Sequence, residues 1–207
     1  MSNTKEIRNM KEDIELTEEQ REIIVGTLLG DCHLETQNNG QTYRLLVEQS
    51  KKQHGPFVMH LYEKFKPLVR TPPVEKKNNL SFKTLSIGPL RYYGQIFYQE
   101  GKKVVPKNIH KYLTDRSLAY WYMDDGALKG KDRSGKRIHT ESFTKEEVYT
   151  LRDILISKGI DTSVNAQNRI YKGVNKCYHI LYITASGDKM FTERIRPYVI
   201  DCMLYKL

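Results

Sequence analysis

Apolar residues in this chain recur at helical spacing in two windows that can be laid on one another. Setting "IVGTLLGDC" (24–32) over "LAYWYMDDG" (118–126) brings Ile24, Leu28 and Asp31 onto Leu118, Tyr122 and Asp125. The spacing i, i+4, i+7 is one face of a helix that ends in a carboxylate. Each window also has a helix start. Thr17 and Gln20 read as a capping box, and Thr114 reads as an N-cap flanked by Leu113 and Leu118 as a hydrophobic staple.

The pattern continues in parallel after each window. A short segment to Thr36, the turn "NNG" (38–40) and "TYRLLVEQ" predict one hairpin; "GALKG", a polar turn and "KRIHTES" predict another. Two amphipathic helices come next, one through Phe57, Val58, Leu61 and Phe65, the other capped by Thr144 and Glu147 with Val148, Leu151, Ile154 and Leu155 on its apolar face. Strand pairs follow around "VEKKNNLSFKTLSI" and "NRIYKGVNKCYHILYIT", then terminal helices near 89–99 and 187–197. The expected fold is α+β, an αββαββα unit written twice, with an extension at 1–16, a first repeat at 17–103 and a second at 104–207.

Composition narrows the function. The chain has 207 residues, 39% of them hydrophobic, with 14 tyrosines, which is ample for a core. Cys32, Cys177 and Cys202 are too few and too scattered for a disulfide framework or a CxxC metal site, so reduced thiols and no structural zinc are expected. No window reaches the roughly 18 apolar residues of a membrane span. The acidic N-terminal stretch lacks a signal core and the Arg-rich character of a presequence, so the protein is expected to act where it is made. Residues 1–22 carry 4 basic and 7 acidic groups, 23–103 carry 12 and 6, and 104–207 carry 18 and 12. Two equally basic halves without a membrane-type helix point to a polyanionic partner.

At this point "GTLLGDC" and "LAYWYMDDG" resemble the two signature helices of monomeric LAGLIDADG homing endonucleases, nearest the mitochondrial intron-encoded branch with its "YWFMDDG"-type second motif. "SFTKEEV" (142–148), "KKVVP" (102–106) and "YKL" (205–207) add to the resemblance. The first motif departs from the pattern, with Leu29 at the first acidic position and Cys32 where glycine is usual.

The resemblance implies a monomer with pseudo-two-fold symmetry, a central helix pair, and one four-stranded antiparallel sheet per repeat forming a saddle on double-stranded DNA. It implies a double-strand break at a long asymmetric target, with short 3′ overhangs. Phosphodiester hydrolysis needs a divalent cation, and a hard ion such as Mg²⁺ requires only one or two protein carboxylates. The family places these at Asp31 and Asp125, with Asp124 a secondary candidate; helix C-termini favour a cation there. Mg²⁺ is the expected cofactor, Mn²⁺ a substitute, and Ca²⁺ an ion that supports binding without cleavage. Lys103 and Lys206 match the lysines that follow each repeat, and Gln49 and Glu141 match positions that arrange solvent around the metal. Gly26 and Gly30, at i and i+4, would let the helices approach closely, with Tyr120 and Asp124 as the bulk they accommodate.

Strand alternation directs His33, Glu35, Gln37, Thr42, Arg44, Leu46, Ser81 and Lys83 of the first repeat toward bases, Leu46 to a thymine methyl. In the second, Lys129, Lys131, Lys136, Arg169, Lys172 and Lys176 are expected on phosphates; the sequence leaves the phase of those strands open. The family's biology implies an organelle, or an archaeal cytoplasm, as host. An intron RNA maturase and a non-catalytic DNA-binding regulator share the fold and remain rivals, the former with intron RNA as partner. "YMDD" (122–125) also occurs in reverse transcriptases, but there it lies in a hairpin turn of a much longer chain.

Overall fold

A computed structural model describes residues 14–129, 135–171 and 173–207. In the first repeat, α1 (Glu18–Leu29) leads into β1 (His33–Glu35), β2 (Arg44–Ser50), α2 (Lys51–Phe65), β3 (Val74–Lys76), β4 (Asn79–Lys83) and α3 (Leu90–Phe97). A small ribbon of β5 (Tyr98–Gln99) and β6 (Lys102–Lys103), for which the sequence pattern gives no signal, closes it. The second repeat runs through α4 (Asp115–Asp125), β7 (Gly126–Leu128), β8 (Lys136–Ile138), α5 (Lys145–Ser157), β9 (Thr162–Tyr171), β10 (Val174–Ile183) and α6 (Ala185–Ile195), and ends in a 3₁₀ segment, Asp201–Lys206. The sheet orders β1-β2-β4-β3 and β7-β8-β10-β9 are the same, and every pairing is antiparallel. The doubled αββαββα pattern is therefore present.

The caps form as the side-chain chemistry requires. Thr17 Oγ1 accepts from Gln20 N–H at 3.1 Å while Gln20 Oε1 accepts from Thr17 N–H at 3.1 Å. Thr114 Oγ1 accepts from Ser117 N–H at 3.2 Å, and Thr144 and Glu147 close a second box.

Alternation gives each sheet a core face. In the first, Leu34, Leu45, Val47 and Phe82 are buried with Phe57, Val58, Leu61 and Phe65 of α2. The opposite face pairs His33 with Leu46, Glu35 with Arg44, Leu46 with Lys83 and Glu48 with Ser81. In the second, Ile138, Leu181 and Ile183 lie in the core with Val148, Leu151 and Phe191, leaving Arg137, Tyr182, Gln167 and Arg169 on the outer face. Helix α4 is apolar all round from Leu118 to Met123 and is buried all round, because α1 covers one side and α6 and the C-terminal segments cover others.

The α1–α4 contact depends on two glycines. A Cβ on Gly26 would overlap Ser117 O and lie 2.9 Å from Tyr120 Cβ; one on Gly30 would overlap the Asp124 carboxylate, 2.7 Å from its Cγ. Tyr120 and Asp124 thus occupy the space the glycines leave, as expected from their registers. No helix among the described residues is long and apolar enough to cross a membrane.

Candidate active site

Helix α1 ends at Leu29 with Gly30 as its cap, so Asp31 lies just beyond the helix and is exposed. Asp125 is the last residue of α4, capped by Gly126. Because the helices pack side by side with the same direction toward the sheets, carboxylate oxygens of Asp31, Asp124 and Asp125 all come within 4.8 Å of one another. The carboxylates of Asp31 and Asp125 have no hydrogen-bond or ion-pair partner among the described residues. Asp124 differs: it is buried, and both its oxygens accept hydrogen bonds. Burial, followed by repulsion from neighbouring aspartates, pushes both Asp124 and Asp125 well above the usual carboxylate range. A cluster that repels its own charge, with two unpartnered carboxylates, is the donor set a hard divalent cation fits. Gln49 Oε1, buried and without a partner beside it, adds an unused acceptor.

The two lysines reach the same place from the ends of the two repeats. Lys103 Nζ donates to Gly30 O at 2.6 Å and Cys32 O at 2.7 Å; Lys206 Nζ donates to Met123 O at 2.6 Å. Each ammonium therefore caps the carbonyls at the end of its own repeat's signature helix, where the dipole is negative. Lys206 is only 8% exposed, and Tyr122 Oη donates to its carbonyl at 2.6 Å, so the C-terminus is fixed beneath α4. Burial lowers the pKa of both lysines against the opposing pull of the aspartates. Gln49 donates from Nε2 to Asp124 rather than to solvent. Glu141 pairs with His139 Nδ1 and with Arg169, each at 3.1 Å, and its charge is felt at Asp125.

Most of the residues expected on DNA lie on the outer faces. His33, Arg44, Ser81 and Lys83 share the outer face of the first sheet, with Glu35 held by Arg44 at 2.7 Å and Lys83 at 3.4 Å. Gln37 is exposed, and Thr42 is tied into the turn by Asn38. Leu46 has the outward phase but is 6% exposed beneath its neighbours, so it offers little surface to a thymine methyl. Lys129 stands 5.5 Å from the centre of the Tyr182 ring, and Arg169 and Lys176 are register partners.

Lys136 is a correction. It shares the core face with Ile138, is fully buried, and pairs with Asp188 while donating to Thr192 Oγ1 at 2.9 Å. It cannot contact phosphate; Arg137, its neighbour in β8, is the residue that faces out. The signal was available, since Ile138 two positions on marks the core phase. Lys131 and Lys172 lie outside the described residues.

Residues 21–191 match the LAGLIDADG DNA endonuclease family. The chain is 34% identical to DNA endonuclease I-ChuI of Chlamydomonas applanata over 93% of this chain and 95% of that protein. It is 30% identical to the probable intron-encoded endonuclease 1 of Wickerhamomyces canadensis, over 99% and 91%. The solved structure of the homing endonuclease I-WcaI bound to its DNA recognition sequence superposes with a TM-score of 0.86 at 28% identity, covering all of this chain and 94% of that one.

Proposed function

The chain belongs to the LAGLIDADG DNA endonuclease family, and from that premise we propose that it is an intron-encoded homing endonuclease that makes a double-strand break at a long, asymmetric DNA target, leaving short 3′ overhangs. What carries the reading is the meeting of Asp31 and Asp125, one from each repeat, with carboxylates that have no partner among the described residues, at the ends of two packed helices. The centre is complete in one chain, which acts as a monomer. Its setting is an organelle, a reading supported by its intron-encoded relative.

Asp31 and Asp125 would hold Mg²⁺, with Mn²⁺ as a substitute. The bound ion supplies neutralisation of phosphoryl charge, activation of water and stabilisation of the leaving oxygen. The chain's own residues do the rest. The unequal repeats present one carboxylate toward each strand. Lys103 and Lys206 hold the helix ends in place, and an ammonium has three donors, so each retains N–H capacity for a phosphate oxygen or water. The outer faces of the two sheets lie against the major groove, with His33, Arg44 and Lys83 on one side and Lys129, Arg137 and Arg169 on the other.

The test is incubation with a duplex selected for cleavage from a randomised library, or spanning the junction where the coding intron inserts. Cutting of both strands in Mg²⁺ and binding without cutting in Ca²⁺ are expected. Tight binding with no cutting in any divalent ion would instead favour a maturase or a regulator.

A further inference from the structure

Of the three clustered carboxylates, Asp124 has a different set of partners. It is 5% exposed; its Oδ2 accepts from the backbone N–H of Asp31 at 2.8 Å, and its Oδ1 accepts from Gln49 Nε2. Both donors belong to the first repeat, whereas Asp124 belongs to the second. Asp31 lies beyond the end of α1, and its amide is outside the helical ladder: Gly30 N–H returns to Gly26 O and Cys32 N–H to Thr27 O, so among the described residues the Asp31 amide has Asp124 as its acceptor. Asp125, by contrast, is the last residue of α4 and is oriented by its own helix. The relation is one-sided, because the position equivalent to Asp124 in the first repeat is Gly30, which has no side chain with which to reciprocate.

We infer that Asp124 is a positioning residue: through the Asp31 amide it aims the first repeat's carboxylate from the opposite repeat, with Gln49 holding Asp124 in turn. The reaction it serves rests on the endonuclease reading above. Charge-assisted bonds to a buried carboxylate are short and directional, so they fix a peptide that no helix fixes. Two consequences separate this role from metal ligation. Loss of Asp124 acts on Asp31, hence more on one DNA strand than on the other. An amide in its place is tolerated, because an Asn oxygen still accepts from Asp31 N–H and its NH₂ can donate to Gln49 Oε1, now unpartnered.

The experiment is single-turnover cleavage with each strand labelled separately, for native protein, D124N, D124A and D125N, together with amide hydrogen exchange at Asp31. D124A should slow one strand about 10²-fold more than the other, the scale of a misplaced reacting group, and should accelerate exchange of the Asp31 amide. D124N should keep that amide protected and cut both strands within about tenfold of native, since a neutral bond is roughly half as strong as a charge-assisted one. D124N as inactive as D125N would make Asp124 a metal ligand and overturn the proposal. So would equal slowing of both strands by D124A with the Asp31 amide unchanged. If the native protein cuts no duplex, the endonuclease reading fails, while the exchange data still decide whether Asp124 holds Asp31. If D124A does not fold, D124N decides.

Discussion

Adjacent residues in β8 lead to opposite outcomes. Lys136 points into the core, where its ammonium meets an Asp188 carboxylate that is 30% exposed. Changing it to Met should destabilise the fold by about 1–3 kcal/mol, less than a fully buried pair because Asp188 keeps water, and lower Tm by about 2–10 °C. DNA affinity should be unchanged. Arg137→Ala should do the reverse, holding Tm while reducing the salt slope of DNA binding by about 1; both are read by thermal melts and salt-dependent titrations. At this scale the sequence was uneven. Asp31 and Asp125 could be chosen because they end matched helical faces, and Lys103 and Lys206 only through family resemblance. In "KRIH" a basic residue appears in either phase, so charge alone could not decide which one faces DNA. The partners of Asp124 lie 75 and 93 residues away, beyond any local pattern.

At the scale of elements, capping boxes and 3.6-residue periodicity located the helices well, since caps are local chemistry and the apolar faces are long. The β5–β6 ribbon was not legible: with two residues per strand it has no period. The approach of α1 to α4 was legible from Gly26 and Gly30. Replacing Gly26 by Leu must displace the Ser117 carbonyl or Tyr120, and should cost about 3 kcal/mol or more, seen as a lowered melting midpoint and lost cleavage. Helix α2 adds a pH dependence. Burial, then the Lys64 charge, lowers the pKa of His60, whose Nε2 meets Tyr120 Oη at 2.7 Å. The folded protein thus binds fewer protons than the unfolded chain below the ordinary value of 6.5. This contribution is complete above that pH and is lost as pH falls through it toward the lowered folded value. His60→Gln should flatten the melting midpoint between pH 7 and 5; an unaltered slope would assign the dependence elsewhere.

For the whole molecule, two repeats that are each net basic place their sheets on either side of one acidic centre. This separation of charge is what the proposed cutting of a polyanion at its middle demands: sheets that would neutralise phosphate around a centre that would gather cations. Duplex affinity should therefore fall steeply with salt, each neutralised phosphate adding about −0.9 to the slope of log K against log salt, and a nearly flat line would remove DNA from the outer faces. The repeat was legible because both halves keep the same element order; the unequal treatment of the two acids was not, because it comes from side chains that differ between halves.

The central claim is that one aspartate from each repeat serves a shared divalent-ion centre. It is tested most directly by Mn²⁺ titration, followed by electron paramagnetic resonance, of the protein–duplex complex in native, D31N and D125N forms, with cleavage measured on the same samples. Either substitution alone should weaken Mn²⁺ binding and reduce cleavage by orders of magnitude while duplex affinity and Tm stay near native. Native-like Mn²⁺ binding and cutting in either variant would contradict the account.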